Sequence, residues 1–524
     1  MALDRSGSPD SGTPSILAAS RIDPQAPSSL FLLWAVVVVA LVARLVVTDV
    51  QALPLHFDEA QYYGWSLAPD WGYYSKPPMV AWAIAAGTAI CGDSEACIRA
   101  PAAVALAVAA ILAGLLAARL AGANAAPWAG FAVATMPLVV FFGGAMTTDS
   151  LLLLAWTAAL YAMVRACPPS GAPSEPAWWL VCGLAAGVGL LSKYSFVLFA
   201  ITAIAWLAVD PVRRRALRTP WPWAGAGVAL LVWSPNLAWN LRHGFATVRH
   251  TAELAQAGGT VAPLQPARLL EFAAAQPILL GVPVAVAAAI AWSTPARRHG
   301  PLAALGWHVF WPTMGLIAAQ ALFTRAHANW AAPALLGAAL AASGVLAAGT
   351  GERGRRRRLV AAAVTLNLAF AALIATGPAL AGRLPAGLAH LDPYARLAGW
   401  RELGAAVGAQ LQARPGAMLI GPDRRELSAL TYYARPHAFP ASAWNPERTR
   451  TDHYRLTGDV ADRPGAASGT WIFVAREGGY DPAVMRAAFD LVGPLRVFEA
   501  PVGSHRPQRY HVLEVRGFRG YAAR

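Results

Sequence analysis

Leu30-Phe31-Leu32-Leu33-Trp34-Ala35-Val36-Val37-Val38-Val39-Ala40-Leu41-Val42-Ala43-Arg44-Leu45-Val46-Val47 is a run of 18 residues with a single charge. A helix needs about 20 mostly apolar residues to cross a bilayer, and this run with its flanks supplies them. The segment before it, 1–29, is polar, rich in Ser and Pro, and lacks the short basic region that opens a secretory signal. The run therefore reads as an uncleaved first span, and 1–29 as a cytoplasmic tail.

Ten further apolar runs follow: Ile98–Ala118, Pro127–Phe142, Leu151–Val164, Trp178–Leu191, Phe196–Val209, Trp221–Leu237, Phe272–Trp292, Leu302–Leu322, Trp330–Leu346 and Leu359–Leu380. About 11 spans are expected on length and apolarity. Composition agrees. The 524 residues are 56% hydrophobic and 13% charged, against roughly 45–50% and about 25% in soluble domains. The net charge of +14 would suggest nucleic acid in a soluble protein. Here the arginines fall in short clusters between apolar runs, such as Arg213-Arg214-Arg215 and Arg355 to Arg358. Such clusters are a topology signal, so no nucleic-acid partner is expected. Four cysteines in a chain this long exclude a disulfide scaffold.

Cytoplasmic loops carry the Lys and Arg excess. Counted from an inside N-terminus, the even gaps hold Arg119, Arg165, Arg213 to Arg218, Arg297-Arg298 and Arg353 to Arg358. The odd gaps hold Asp58, Glu59, Asp70, Asp93, Asp149, Lys193, His243, His250, Glu253, His327 and Asn329. The alternation puts the N-terminus inside and, with an odd number of spans, the C-terminus outside. Pro78–Cys91 is apolar but only 14 residues long. As a span it would invert every later loop, so it reads as an interfacial or partly embedded helix on the outer face. Cys91 and Cys97 lie on that outer side, where a small disulfide loop and two free thiols are both open.

After Leu380 the character changes. Residues 383–524 are mixed and charged, with short apolar strands at Ala417–Ile420, Thr470–Ala475 and Tyr510–Val515 and helical stretches at Asp392–Leu411 and Pro482–Phe489. This is a soluble α/β domain, large enough for its own core, hanging on the outer side. The expected architecture is thus a polytopic α-helical membrane domain, 30–382, followed by a soluble α/β domain.

The first outer loop, 49–97, holds the most suggestive chemistry. It reads His56-Phe57-Asp58-Glu59-Ala60-Gln61-Tyr62-Tyr63, then Asp70-Trp71-Gly72-Tyr73-Tyr74-Ser75-Lys76-Pro77-Pro78. Two adjacent carboxylates stand just past the first span, aromatics follow, and a lysine precedes a double proline that stiffens the backbone. Tyr and Trp also gather at membrane interfaces for their amphipathic rings alone, and an acidic pair is ordinary in a solvated loop. Asp149 has N-capping as its alternative role, and Lys193 snorkelling.

The ordered set resembles the first periplasmic loop of the dolichyl-phosphate-mannose-protein mannosyltransferase superfamily, in particular the bacterial branch that includes lipid A aminoarabinose transferases. Further matches are Gly92-Asp93-Ser94-Glu95 with Arg99, Thr147-Thr148-Asp149, Gly189-Leu190-Leu191-Ser192-Lys193-Tyr194, Ser234-Pro235-Asn236 with Trp239-Asn240 and His243-Gly244, and Ala328-Asn329-Trp330. The likeness is strong over 50–250 and thin in the tail. Ser75 departs from that branch, which has an acidic residue before the lysine.

The resemblance implies a GT-C membrane fold in a bacterial inner membrane. It implies a polyprenyl-phosphate sugar as donor and a lipid A or core, envelope glycan or protein acceptor. Asp58 takes the family's general-base position and Lys76 that of the lysine facing the donor phosphate. Glu59, Asp149, Lys193, Arg242, His243, Tyr62 and Tyr74 are further candidates for holding donor or acceptor. Direct displacement would invert the anomeric centre. No spacing of His, Cys and carboxylates makes a convincing metal site, so no tightly bound cofactor is expected, and a divalent metal is not indicated. The rival class is a transporter or flippase. It would place ionisable residues near the bilayer midplane, whereas here they cluster at one face.

Overall fold

The computed structural model describes residues 26–167, 175–255, 264–295, 300–349, 354–381, 385, 392, 394–502 and 505–521. Most of the expected tail 1–29 and the expected 382/383 domain boundary lie outside them.

The chain begins with α1 (Ala26–Gln51), α2 (Phe57–Ser66), α3 (Met79–Cys91) and α4 (Glu95–Ala121). Then come α5 (Ala126–Ala134), α6 (Pro137–Gly143), α7 (Thr148–Ala166), α8 (Trp178–Ser192), α9 (Leu198–Val209) and α10 (Pro211–Arg214). α11 (Trp221–Arg242), α12 (Ala246–Ala255), α13 (Pro266–Leu280), α14 (Val282–Ser293), α15 (Pro301–Phe323), α16 (Ala332–Gly349) and α17 (Arg355–Ala381) complete the helical part. This is a multi-pass membrane protein. Among the described residues six helices are long and apolar enough to cross a bilayer, and nine spans result if each of three bent helix pairs counts as one.

Two runs that read as straight spans are broken. Pro127–Phe142 divides into α5 and α6, bent by 59°, where Pro137 opens the second helix. Phe272–Trp292 divides into α13 and α14, bent by 101° at Gly281, whose φ of 92° suits glycine. Asn367 of α17 packs against Gly281 and donates from Nδ2 to Thr135 Oγ1 (3.1 Å), so one polar side chain braces both breaks. Where helices are unbroken they approach closely through small residues: a Cβ on Gly183 of α8 would collide with the backbone of Gly225 on α11.

The last part is an α/β unit made of α18 (Trp400–Gln412), β1 (Met418–Gly421), α19 (Arg424–Tyr433), β2 (Ser442–Ala443), α20 (His453–Thr457), β3 (Thr470–Arg476), α21 (Pro482–Ala488), β4 (Phe489–Val492), β5 (Arg496–Val502) and β6 (His505–Phe518). The sheet order is β2-β1-β3-β6-β4, with β5 also on β6; β1 is parallel to β2 and β3, and β6 is antiparallel to β3. The strands predicted from the sequence are all present. The Asp392–Leu411 helix is shorter than expected and starts at Trp400, after a single turn at Ala395–Leu397.

Alternation along β3 divides two cores. Trp471, Phe473 and Ala475 face a core with Trp444 and Phe489, while Ile472 and Val474 join a core that continues into the first loop through Leu55, Ala60, Tyr63, Tyr73, Val80 and Ile84. The soluble unit and the first loop therefore share one apolar interior.

Candidate active site

The short helix α2 carries the acidic pair. His56 caps it: its Nδ1 accepts from the Asp58 N–H (3.3 Å), and Glu59 accepts from the His56 N–H (3.0 Å). Adjacent residues on a helix point about 100° apart, and the pair divides accordingly.

Glu59 turns inward. Arg99 of α4 grips it with two hydrogen bonds (2.9 and 2.8 Å), and the Met146 N–H adds a third (2.8 Å). The remaining Arg99 donors bind the Leu53 and Pro54 carbonyls. Burial raises the Glu59 carboxyl pKa, but the Arg99 charge and hydrogen bonds outweigh it and hold the group below the usual carboxylate value. Glu59 was expected among the donor-binding residues. Its oxygens are instead closed in by protein donors, and it pins the loop to α4.

Asp58, on the other face, stays about 40% exposed. Its Oδ1 accepts from Arg424 Nη1 (2.9 Å), which also donates to Gln61 Oε1 (2.6 Å). The charges of Asp58, Asp149, Lys193 and Arg424 all act on Lys76. Burial, then the positive charge of Lys193, lowers the Lys76 ammonium pKa, with Asp58 and Asp149 pulling the other way. Among the described residues Lys76 has no hydrogen-bond or ion-pair partner for its ammonium. Burial, then the Asp58 charge, pushes the Tyr62 phenol well above its ordinary value, so it is a neutral donor beside the carboxylate. His250 and His327 also sense Lys76, and burial lowers both imidazoles.

Asp149, in the first turn of α7, is buried and paired with Lys193 Nζ (2.8 Å), while Asn329 Nδ2 reaches its other oxygen (3.4 Å). Neither residue follows its simpler alternative: Thr147 occupies the N-cap, and Lys193 points into the protein toward Asp149. Arg242 and His243 are not brought to this group. Arg242 is exposed at the end of α11. His243 stacks on Trp239 at a centroid distance of 4.0 Å. Tyr74 lies against His250, with ring centroids 5.1 Å apart.

The other motif residues build the frame. Trp239 Nε1 donates to Asp70 Oδ2 (2.6 Å), Asn236 to the Trp71 carbonyl (2.7 Å) and Thr247 to the Tyr73 carbonyl (2.7 Å). Gly72 lies under Trp239 so closely that a Cβ would sit 2.6 Å from the indole. These contacts clamp the segment before Lys76 to α11 and α12. On the other side, Cys91 and Cys97 form a disulfide around Gly92-Asp93-Ser94-Glu95. Asp93 accepts from Arg435 (2.7 Å) and contacts His437 (2.6 Å), and Glu95 accepts from Arg401 (2.7 Å). Tyr432 donates to the Asp93 carbonyl (2.7 Å), and the Leu55 N–H donates to the Tyr433 hydroxyl (2.6 Å). The soluble unit thus roofs the loop.

Among the described residues no three His, Cys, Asp or Glu side chains converge as a metal site would need. A cavity of about 600 Å³ between α1, α5 and α17 is apolar and is lined by none of these site residues.

The overall arrangement has a solved counterpart. The crystal structure of ArnT from Cupriavidus metallidurans superposes with a TM-score of 0.61, over 91% of this chain and 97% of that one, at 17% identity. The chain has the ArnT fold. The GT-C architecture expected from the first loop is thereby borne out, soluble unit included. The same ArnT has been solved bound to undecaprenyl phosphate, with the same TM-score. Residues 75–239 match the family model described as dolichyl-phosphate-mannose-protein mannosyltransferase, so the superfamily resemblance is borne out as well. Among curated proteins, the lipid A galacturonosyltransferase RgtD of Rhizobium johnstonii is 34% identical over 297 residues, 56% of this chain and 60% of that protein. The lipopolysaccharide core galacturonosyltransferase RgtA of the same organism is 30% identical over 189 residues, 35% of this chain and 37% of RgtA. The matched stretches span less than two thirds of either relative's length.

Arg424 was missed at the sequence level. A signal existed: it follows Gly421-Pro422-Asp423 at the carboxyl end of a predicted strand, where open α/β sheets present their ligand-facing residues.

Proposed function

We propose that the chain is an inner-membrane glycosyltransferase that moves a sugar from a polyprenyl-phosphate donor to an acceptor on the periplasmic side. The observation that carries this is Lys76: a half-buried ammonium that has no anion of its own among the described residues, beside the half-exposed carboxylate of Asp58. The acceptor hydroxyl gives its proton to Asp58 as its oxygen bonds to the anomeric carbon. The bond from that carbon to the phosphate oxygen breaks, and polyprenyl phosphate leaves as an anion onto Lys76. One displacement inverts the anomeric centre. Glu59, locked on Arg99, is unavailable as a second nucleophile. Tyr62 is a neutral phenol within electrostatic reach of Asp58, and the Asp149–Lys193 pair acts on Lys76 through its charges.

The arginine pattern supports an inside N-terminus and a periplasmic roof. The relatives' names make galacturonic acid the sugar to test first and lipid A or lipopolysaccharide core the acceptor. Ser75 supports a donor other than aminoarabinose.

The test uses purified protein in detergent with labelled polyprenyl-phosphate sugars and a lipid A, core and glycan acceptor mixture. Asp58→Asn should lower transfer by about 10²–10⁴-fold, the usual range for a general base, and Lys76→Ala should abolish most of the remainder. Full activity in both variants would refute these roles. Consumption of no lipid-linked sugar with any acceptor would refute the class.

A further inference from the structure

We infer that the soluble unit supplies a residue of the active site: Arg424 positions the Asp58 carboxylate. The inference rests on the glycosyltransferase reading above and extends it to a part of the chain that the sequence resemblance hardly reaches.

Arg424 is the first residue of α19, immediately after the turn that follows β1. Asp423 caps the helix by accepting from the Arg425 N–H (2.7 Å), which fixes the backbone from which Arg424 projects. Its Nη1 is shared between Asp58 Oδ1 and Gln61 Oε1, and its guanidinium carbon lies 5.2 Å from the Phe57 ring centre. Asp58 and Gln61 stand three positions apart on α2, so they present one face to the arginine. A cation on Oδ1 fixes the carboxylate plane and leaves Oδ2 for the acceptor hydroxyl. His56 Nδ1 lies 3.5 Å from that second oxygen.

Docking does not account for this contact. The unit is already held to the loop by the shared apolar core, by Tyr432 and Tyr433, and by the Arg401–Glu95 and Arg435–Asp93 pairs. Half-exposed ion pairs add little to stability. Arg424 differs from those pairs in its partner, which is the proposed base, and in its place beside Lys76.

The experiment uses full-length protein with the donor and acceptor found active above. Arg424→Gln should lower kcat by about 10–100-fold, the scale of a slightly misplaced catalytic group. The KM for donor should stay within about twofold and the melting temperature should not change. Arg424→Lys should recover part of the rate. Ethylguanidinium added to Arg424→Ala should raise its rate and leave wild type unaffected, a readout that a purely structural role does not move. Full activity of Arg424→Gln, a loss carried wholly by the donor KM, or a melting temperature that falls in step with activity would each overturn the inference. Failure of the underlying reading looks different: wild type itself then transfers no sugar, and the inference falls with it.

Discussion

The two sides of α2 hold the same kind of chemistry in opposite states. On one side Glu59 and Arg99 are buried, paired bidentately and supplemented by backbone partners, with both Glu59 oxygens and every Arg99 nitrogen hydrogen-bonded. On the other side Asp58 is half exposed and Lys76 stands without an anion among the described residues. A satisfied knot of charge holds a shape, whereas the ammonium without an anion among the described residues is what the proposed role in transfer rests on. The difference separates scaffold from chemistry more sharply than residue type does, since both sides use a carboxylate and a cation.

The comparison can be broken most directly at Glu59. Glu59→Ala leaves Arg99 buried without its anion, which should cost about 3–5 kcal/mol of stability and appear as a large fall in melting temperature. Asp58→Asn should leave melting nearly unchanged. If the two variants melt alike, the division drawn across α2 is wrong.

A smaller effect tests the roof. His453 of α20 accepts from the Tyr74 N–H at 3.5 Å, and burial brings its imidazole pKa down to about 4. Below the unfolded value of about 6.5 the unfolded chain binds a proton that the folded one refuses, so stability falls between pH 6.5 and 4. Allowing for partial exposure, the loss is on the order of 2 kcal/mol. His453→Gln should flatten that part of the melting profile, and an identical acid profile in wild type and variant would remove His453 from the account.

The smallest effect lies at the rim. Hydrogen bonds from Arg435, then His437, hold the Asp93 carboxyl below its usual value. The stabilisation is present above the unfolded carboxylate pKa, about 3.9, and is lost as pH falls through the folded value. The group is half exposed, so Asp93→Asn should cost less than about 1 kcal/mol at neutral pH. A larger loss in a thermal melt would mean that the rim, and not the shared core, carries the docking.

Much of the fold was legible because a bilayer imposes length and apolarity on each helix. The breaks at Pro137 and Gly281 were harder to see. They depend on Asn367, some 90 residues beyond the later break, whose amide fills the space under Gly281. Asp58, Lys76, Asp149 and Lys193 were legible as an ordered set on one face. Their partners were not: nothing local to Asp58 specifies Arg424, and Arg242 and His243 look as basic in sequence as Lys76 does. Tertiary contact sorts them, with His243 stacked on Trp239 and Lys76 left free among the described residues.

The roof over the first loop also sets an order of events. Asp58 and Arg424 are 366 positions apart, and Leu55 and Tyr433 are 378 apart. At roughly 5–20 residues per second, the loop waits on the order of 20–70 s after its own synthesis before the ribosome delivers the segment that closes it. During that interval the apolar core around the loop lacks the members that the later unit supplies, among them Trp400, Leu403, Leu427 and Leu430. A chain halted before α19 would carry every helix of the membrane part and an acidic pair, yet leave Asp58 without the arginine that holds it.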